Sequence, residues 1–375
     1  MDAQFGVVLP LWSYAADRGA LLDRVHGEVG IDFLIAPTVS GAMACFRLCD
    51  EPYFLTEGGW HFPPTAKVYS AVGSRPAKAR WFGAVDALAR LREHADRLRV
   101  PLVMRIDLRA VRALAEHEPH LGQRNAWGQE VPPAGLCACQ PSVRELLRAT
   151  LEDLGRYEPA GFELADWKPD HAADSALPRP LDWHRPTVRR LLDICLCPAC
   201  RQIAERAGVD PDQAARSVRV HVHRLVGAPP SPEPAPEADA VVEEYCAARV
   251  ADCGQWLQRL AQADAQHAYR LLDGPENPAP YSDVAPVERL HRLPADSQLT
   301  EDRLQGLVRL QALARFAGWS LPGWRPCFGA AANLVSTVSE GVHAGVRIFD
   351  FEGLDEAVPD AVTWVKQAVR FARRG

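Results

Sequence analysis

Eight short apolar runs recur along the chain, separated for the most part by stretches with helical periodicity. They are Phe5–Trp12, Ile31–Pro37, Pro101–Leu108, Gly161–Trp167, His267–Asp273, Glu288–Leu293, Gly318–Trp324 and Gly345–Phe351. Several are apolar at consecutive positions, as in Val7-Val8-Leu9 and Phe33-Leu34-Ile35. A strand with one face in water alternates polar and apolar residues. A run without that alternation reads as a strand buried on both faces, and a parallel sheet covered by helices supplies such burial.

The intervening segments carry helical stripes. Val143, Leu146, Leu147, Leu151 and Leu154 fall on one face, and Ser142 with Glu145 predicts a capping box at its start. Val85, Leu88, Leu91, Ala95 and Leu98 form a second stripe. Leu304, Leu307 and Val308 begin a third that stops at Gly318, and Val358, Val362, Val365 and Val369 form the last. Strands alternating with helices predict an α/β fold, a (β/α)8 TIM barrel with long strand-end loops, as a single domain over residues 1–375. An open doubly wound sheet is the runner-up, but no Gly-rich phosphate loop follows the first strand. The interval from His267 to Glu288 is short for a strand, a helix and a return, which predicts one degenerate β/α unit. Gly227 to Ala240, GAPPSPEPAPEADA, is too rich in proline and acid to bury a core and reads as a flexible surface loop between helices Pro211–Val226 and Asp239–Ala263.

Composition narrows the partners. With 42 Lys+Arg and 48 Asp+Glu the net charge is −6, which argues against nucleic acid as a partner over the whole surface. No run of about 18 apolar residues spans a membrane, and no secretory signal opens the chain. The expectation is a cytoplasmic protein whose ten cysteines are thiols or metal ligands.

In such a barrel, catalytic groups lie at strand C-terminal ends and in the loops that follow. This filter selects Asp107 after the third strand, Glu163 and Asp166 at the fourth, Asp273 at the fifth, and Asp350 and Glu352 at the eighth. Glu163, between Phe162 and Leu164, is the best placed for a raised pKa and an acid role. Asp350 and Glu352 share one side of their strand because the side-chain period is two. Trp12, Trp60, Trp127, Trp167, Trp183 and Trp324 fall at strand ends or in loops, where indoles either stack on sugar faces or pack the loops down. His61, in Trp60-His61-Phe62-Pro63-Pro64, is placed to hydrogen-bond a polar substrate or to pack its loop. Cys195, Cys197 and Cys200 have the C-x-C-x-x-C spacing that offers three thiolates to a structural zinc, with Cys137, Cys139, His171 and His184 as candidates for the fourth ligand. The alternative is that these thiols pack as small apolar groups. No catalytic cofactor is expected.

Several segments together resemble a known family. They are Trp60-His61-Phe62-Pro63-Pro64 with Tyr69, Asn125-Ala126-Trp127-Gly128, Cys137 before Pro141-Ser142-Val143-Arg144, Phe162-Glu163, and Leu196-Cys197-Pro198-Ala199-Cys200 followed by Ala207-Gly208-Val209-Asp210. The chain is similar, over most of residues 1–215 and its last strand and helix, to an uncharacterised bacterial family of TIM-barrel proteins related to glycoside hydrolases. The resemblance implies the barrel and a carbohydrate-type site, with Asn125 and Glu163 at site positions. The chain departs from the family at Ala165, where a second acid is usual, in the Asp166–Trp183 loop, and at Phe349-Asp350-Phe351-Glu352.

The leading expectation is therefore a glycoside-hydrolase-like enzyme acting on a sugar or glycosylated small molecule. Glu163 is the general acid/base, and Asp350, Glu352 or Asp166 is the second carboxylate. Trp12, His61, Asp107, Asn125, Trp127, Trp167 and Trp324 are the substrate-binding candidates. The rivals are a non-hydrolytic sugar-binding barrel and a lyase or isomerase acting on a sugar-derived metabolite, with Arg105 or Arg292 clamping an anionic group.

Overall fold

The computed structural model describes the chain except for residues 1–2, 42, 47–52, 57, 75, 77, 81–82, 84, 131–134, 171–185, 228–238, 274–286, 293–303, 306–307, 309–317, 323–327, 355–360 and 375. The Pro-rich loop, the short interval after the fifth strand, and His171, Trp183, His184 and Trp324 fall wholly or mainly outside the described residues.

Eight parallel strands close on themselves: β1 Gln4–Val8, β2 Phe33–Ser40, β3 Leu102–Ile106, β4 Gly161–Ala165, β5 Ala268–Asp273, β6 Glu288–Arg292, β7 Gly318–Pro322 and β8 Ile348–Glu352. Closure is direct, because β1 pairs with both β2 and β8. The fold is an α/β TIM barrel, and each strand lies within or overlaps one of the eight apolar runs. An added strand, Gly59–Trp60, pairs antiparallel with the end of β2, and Met43–Phe46 forms a hairpin with Tyr53–Thr56.

The unbroken apolar runs have a visible cause. One set of side chains, Val8, Phe33, Ile35, Val103, Ala165, Leu272, Leu290 and Ile348, fills the barrel. The alternate set, which includes Phe5, Val7, Leu34, Met104, Phe162, Leu164, Leu271 and Phe349, packs outward as part of a larger core with the helices. Most described positions of the barrel strands are thus buried on one side or the other. Inside the barrel, Phe33 lies over Gly6, where an added Cβ would sit 2.1 Å from the ring.

Helix Pro141–Gly155 begins one residue before the expected capping box. Gln140 is its N-cap, with no side-chain cap bond, and Glu145 pairs instead with Arg148. Pro141 explains the shift. Its fixed φ suits the first helical turn, and its missing N–H needs no acceptor there. Helix Ala87–Leu98 is capped by Asp86, whose carboxylate accepts from the Ala89 N–H at 3.1 Å, and Val85 lies outside it. Helices Pro211–Gly227 and Ala240–Ala263 flank the Pro-rich stretch, as the periodicity predicted.

Candidate active site and thiol centre

The polar residues inside the barrel share the parity of its inner apolar set. Arg105 aligns with Glu163 and Glu163 with Arg270 across β3, β4 and β5. Gly6, Asp350, Ser320 and Arg292 align across β1, β8, β7 and β6. Glu163, predicted at the end of its strand, sits mid-strand and is wholly buried, as is Asp350. Glu352 lies higher, at the end of β8, and is partly exposed.

Arg105 joins these carboxyls. Its Nε donates to Glu163, its Nη1 donates to Glu352 at 2.5 Å, and its Nη2 lies 4.0 Å from Asp350. Ser320 Oγ also donates to Glu352, at 2.6 Å, and Arg292 stands 3.4 Å from it. Burial alone would depress the guanidinium pKa of Arg105. The carboxylates of Glu163, Glu352 and Asp350 reverse that and hold it above the ordinary arginine value. Glu352 shows the same contest with the opposite sign. Burial favours its neutral form, but Arg292, Arg105 and the Ser320 hydroxyl hold its pKa down to about 2.

Asp350 behaves differently. Burial, then the neighbouring Glu163 charge, pushes its pKa well above the carboxylate range against the pull of Arg270 and Arg105. Two carboxyls can hydrogen-bond to each other only if one is protonated, and Asp350 is the one its surroundings favour as the acid. The inner wall therefore sets Asp350, whose surroundings favour the neutral form, beside an arginine-bonded Glu163 and a Glu352 held ionised. Among the described residues, the buried Arg105 Nη2 and Arg270 Nη1 have no hydrogen-bond acceptor. The Arg270 guanidinium lies 4.4 Å above the Phe33 ring.

The strand-end loops place the other expected residues. Asp107 caps a short turn by accepting from the Ala110 N–H, and burial, then Asp166, raises its carboxyl to about 6. Asp166 has φ +49 and lies 3.7 Å from Lys168. His61 is buried, 2.8 Å from Ser40 Oγ, and burial lowers its pKa to about 4. Trp12 is buried edge-on to His61, Trp60 against Tyr69, and Trp167 against Trp256, so all three pack. Trp127 is 37% exposed, with its ring against His223. Asn125 shapes its own turn, its Oδ1 accepting from the N–H groups of Trp127 and Gln129. Asp273 pairs with Arg289 at 2.8 Å and has the strand parity of the outward-facing Leu271. Glu163, Asp350 and Glu352 are thus gathered at Arg105, while Asp107, Asp166 and Asp273 lie elsewhere and the described tryptophans are dispersed.

Reasoning from sequence passed over Ser320 and Arg270. Arg270 carried a signal: a lone arginine inside an apolar strand at the inward parity.

A second centre lies beside the barrel. The sulfurs of Cys137, Cys195, Cys197 and Cys200 all lie within 4.8 Å of one another, and all four residues are buried. Cys137 is 3.6 Å from Cys200, 3.7 Å from Cys197 and 3.8 Å from Cys195. Metal–sulfur bonds of about 2.3 Å in a tetrahedron imply sulfur–sulfur edges of about 3.8 Å, so the set fits one metal ion. Thiol contacts from Cys139, Cys195, Cys197 and Cys200 converge on Cys137 and pull its pKa well below the ordinary thiol value. Of the proposed fourth ligands among the described residues, Cys137 is the one brought to the cluster. Cys139 faces Cys253 at 3.6 Å.

A closed barrel of eight parallel strands with flanking helices defines a protein of TIM-barrel architecture. A beta-galactosidase from the psychrophilic Marinomonas ef1 has this fold, with a TM-score of 0.58 and 10% identity over 98% of this chain and 59% of that one. The cold-adapted beta-galactosidase from Rahnella sp. R3 gives 0.57 and 9% identity over 100% of this chain and 56% of that one. The chain spans less than two thirds of the length of either. No protein-family model and no curated protein matches the chain.

Proposed function

We propose that the protein is a glycoside-hydrolase-like enzyme acting on a sugar or glycosylated small molecule at the C-terminal mouth of the barrel. The observation that carries this reading is that carboxyls from β4 and β8, opposite walls of the cylinder, meet around the single guanidinium of Arg105. An oxocarbenium-like transition state needs a proton donor and a negative group. Glu163 is the group that moves the proton, and Asp350 is the neutral acid that shares it. Glu352 is the anion that faces developing positive charge, and Asp166 is the further carboxylate at the mouth. Glu163→Gln should abolish turnover of whichever glycoside a chromogenic panel identifies, with the circular dichroism spectrum unchanged. Full activity in that variant overturns the assignment.

One observation favours a second reading, a lyase or isomerase acting on an anionic sugar derivative. Among the described residues, four buried guanidinium nitrogens of Arg105, Arg270 and Arg292 have no hydrogen-bond acceptor, although Arg270 stands 3.5 Å from Glu288 and Arg292 3.4 Å from Glu352. Turnover of uronates but not of neutral glycosides selects it. Binding without turnover of either class selects a sugar-binding barrel.

The four thiols are proposed to hold a structural zinc, which supplies a covalent brace and no step of the reaction. Metal analysis of the purified protein tests this. About one equivalent supports it, and less than about one-tenth with the thiols reduced refutes it.

A further inference from the structure

The five residues that follow β4, Asp166 to Asp170, are anchored at both ends to the backbone of the thiol centre. At the near end, Arg109 is wholly buried. Its Nε donates to the carbonyl of Leu136, the residue before Cys137, at 3.1 Å, and its Nη1 donates to the carbonyl of Asp166 at 2.6 Å. The Leu136 N–H returns a bond to the Arg109 carbonyl at 3.2 Å, so the two backbones are held together from both sides. At the far end, Asp170 Oδ1 accepts from the N–H of Cys195 at 3.1 Å. The same carboxylate takes both ends of the wholly buried Arg249 guanidinium, at 2.6 and 3.0 Å, and Arg249 also donates to the Cys195 carbonyl at 3.2 Å.

The segment between these anchors needs holding. Asp166 stands in the left-handed region at φ +49, which costs a non-glycine residue roughly 1 kcal/mol. Its amide is bonded to the Leu272 carbonyl at 2.9 Å, so its position is part of the mouth of the barrel. Strain of this kind persists where the surroundings over-determine the backbone, and here the surroundings are two peptide units next to sulfur ligands.

We infer that Arg109 and Asp170 are positioning residues that transmit the order of the four-cysteine centre to the wall of the site after β4. This rests on the metal reading above and not on the identity of the substrate. A metal at Cys137 and Cys195 fixes Leu136 and the Cys195 peptide. Arg109 and Asp170 carry that fixity to Asp166 and to the segment that includes Lys168. Zinc here does no chemistry on the sugar, yet its loss loosens the site.

Hydrogen exchange resolved by peptide tests this on the full chain. Three samples are compared: the zinc-loaded protein, the same protein stripped by a chelator in the presence of reductant, and the Arg109→Met variant. Stripping should speed exchange of the Asp166 and Lys168 amides about tenfold or more, while the Leu9 amide on the far wall, bonded to the Ile35 carbonyl, changes less than about twofold. Arg109→Met should reproduce the faster exchange while keeping its metal, seen as an unchanged thiolate-to-cobalt absorption after cobalt loading. If that variant does not fold, Asp170→Asn, which keeps one acceptor for the Cys195 amide, should give a smaller acceleration of the same amides. Exchange after β4 that is indifferent to metal overturns the inference. So does an Arg109→Met protein that exchanges as wild type, or one that loses the metal. A chain that takes up neither zinc nor cobalt refutes the metal reading itself, before any exchange is measured. Failure to find a glycoside substrate leaves the exchange experiment unaffected.

Discussion

Arg105→Met isolates the electrostatics of the barrel interior. Methionine keeps an apolar stem of similar reach and removes the charge. In the wild type the Arg105 side chain is 7% exposed and that of its partner Glu163 is 0% exposed. Removing one member of a buried ion pair strands the other as an uncompensated charge, which costs about 3–5 kcal/mol. Glu352 adds little to this figure, because it keeps Arg292 and the Ser320 hydroxyl. Urea unfolding at pH 8 should therefore show a loss of about that size. The Arg105→Met, Glu163→Gln double variant should recover more than half of it, since the stranded carboxylate is gone. Acidification, which neutralises a stranded carboxylate, should narrow the gap between the single variant and wild type. An Arg105→Met protein within about 1 kcal/mol of wild type at pH 8 would refute the reasoning. So would a double variant no more stable than the single one.

Three other outcomes follow from the same geometry. The folded pKa of Asp350 lies above its unfolded value, so its contribution to stability is complete below the unfolded pKa and is lost as pH rises toward the folded one. Asp350→Asn, which stands in for the protonated acid, should gain on wild type by up to about 1.4 kcal/mol per pH unit above roughly pH 4. Parallel stability curves for the two proteins between pH 4 and 8 contradict this. Cys137→Ser removes a sulfur that lies 3.6–3.8 Å from the other three and should drop bound metal from about one equivalent to a small fraction, by elemental analysis. Gly6→Ala drives a Cβ into the Phe33 ring and should cost about 1–3 kcal/mol in thermal melts, with Phe33→Leu relieving part of it.

The barrel itself was legible in the sequence. Each barrel strand overlaps one of the eight predominantly apolar runs, because a strand packed on both faces shows little of a polar face. Parity within a strand was legible too, and it put Asp350 and Glu352 on one side of β8. The spacing of Cys195, Cys197 and Cys200 announced a metal-type cluster, since those three are local to one turn of chain. Local sequence misjudged the cap of helix Pro141–Gly155, where the rigid ring of Pro141 set the start ahead of the Ser142 hydroxyl.

Only the closed cylinder decided which groups meet. Cys137 reaches the other thiols from 58 residues away in sequence, and Arg105 reaches Glu352 from 247. Nothing in either neighbourhood encodes the partner, because the first contact depends on how segments pack beside the barrel and the second on strand order and stagger. The same closure decided protonation. Glu163, singled out by its apolar neighbours, is held by an arginine, while Asp350, two residues from a strongly ionised Glu352, is pushed toward its neutral form. Composition specifies which side chains a strand carries; the dielectric and the charges around each one exist only once eight strands have closed.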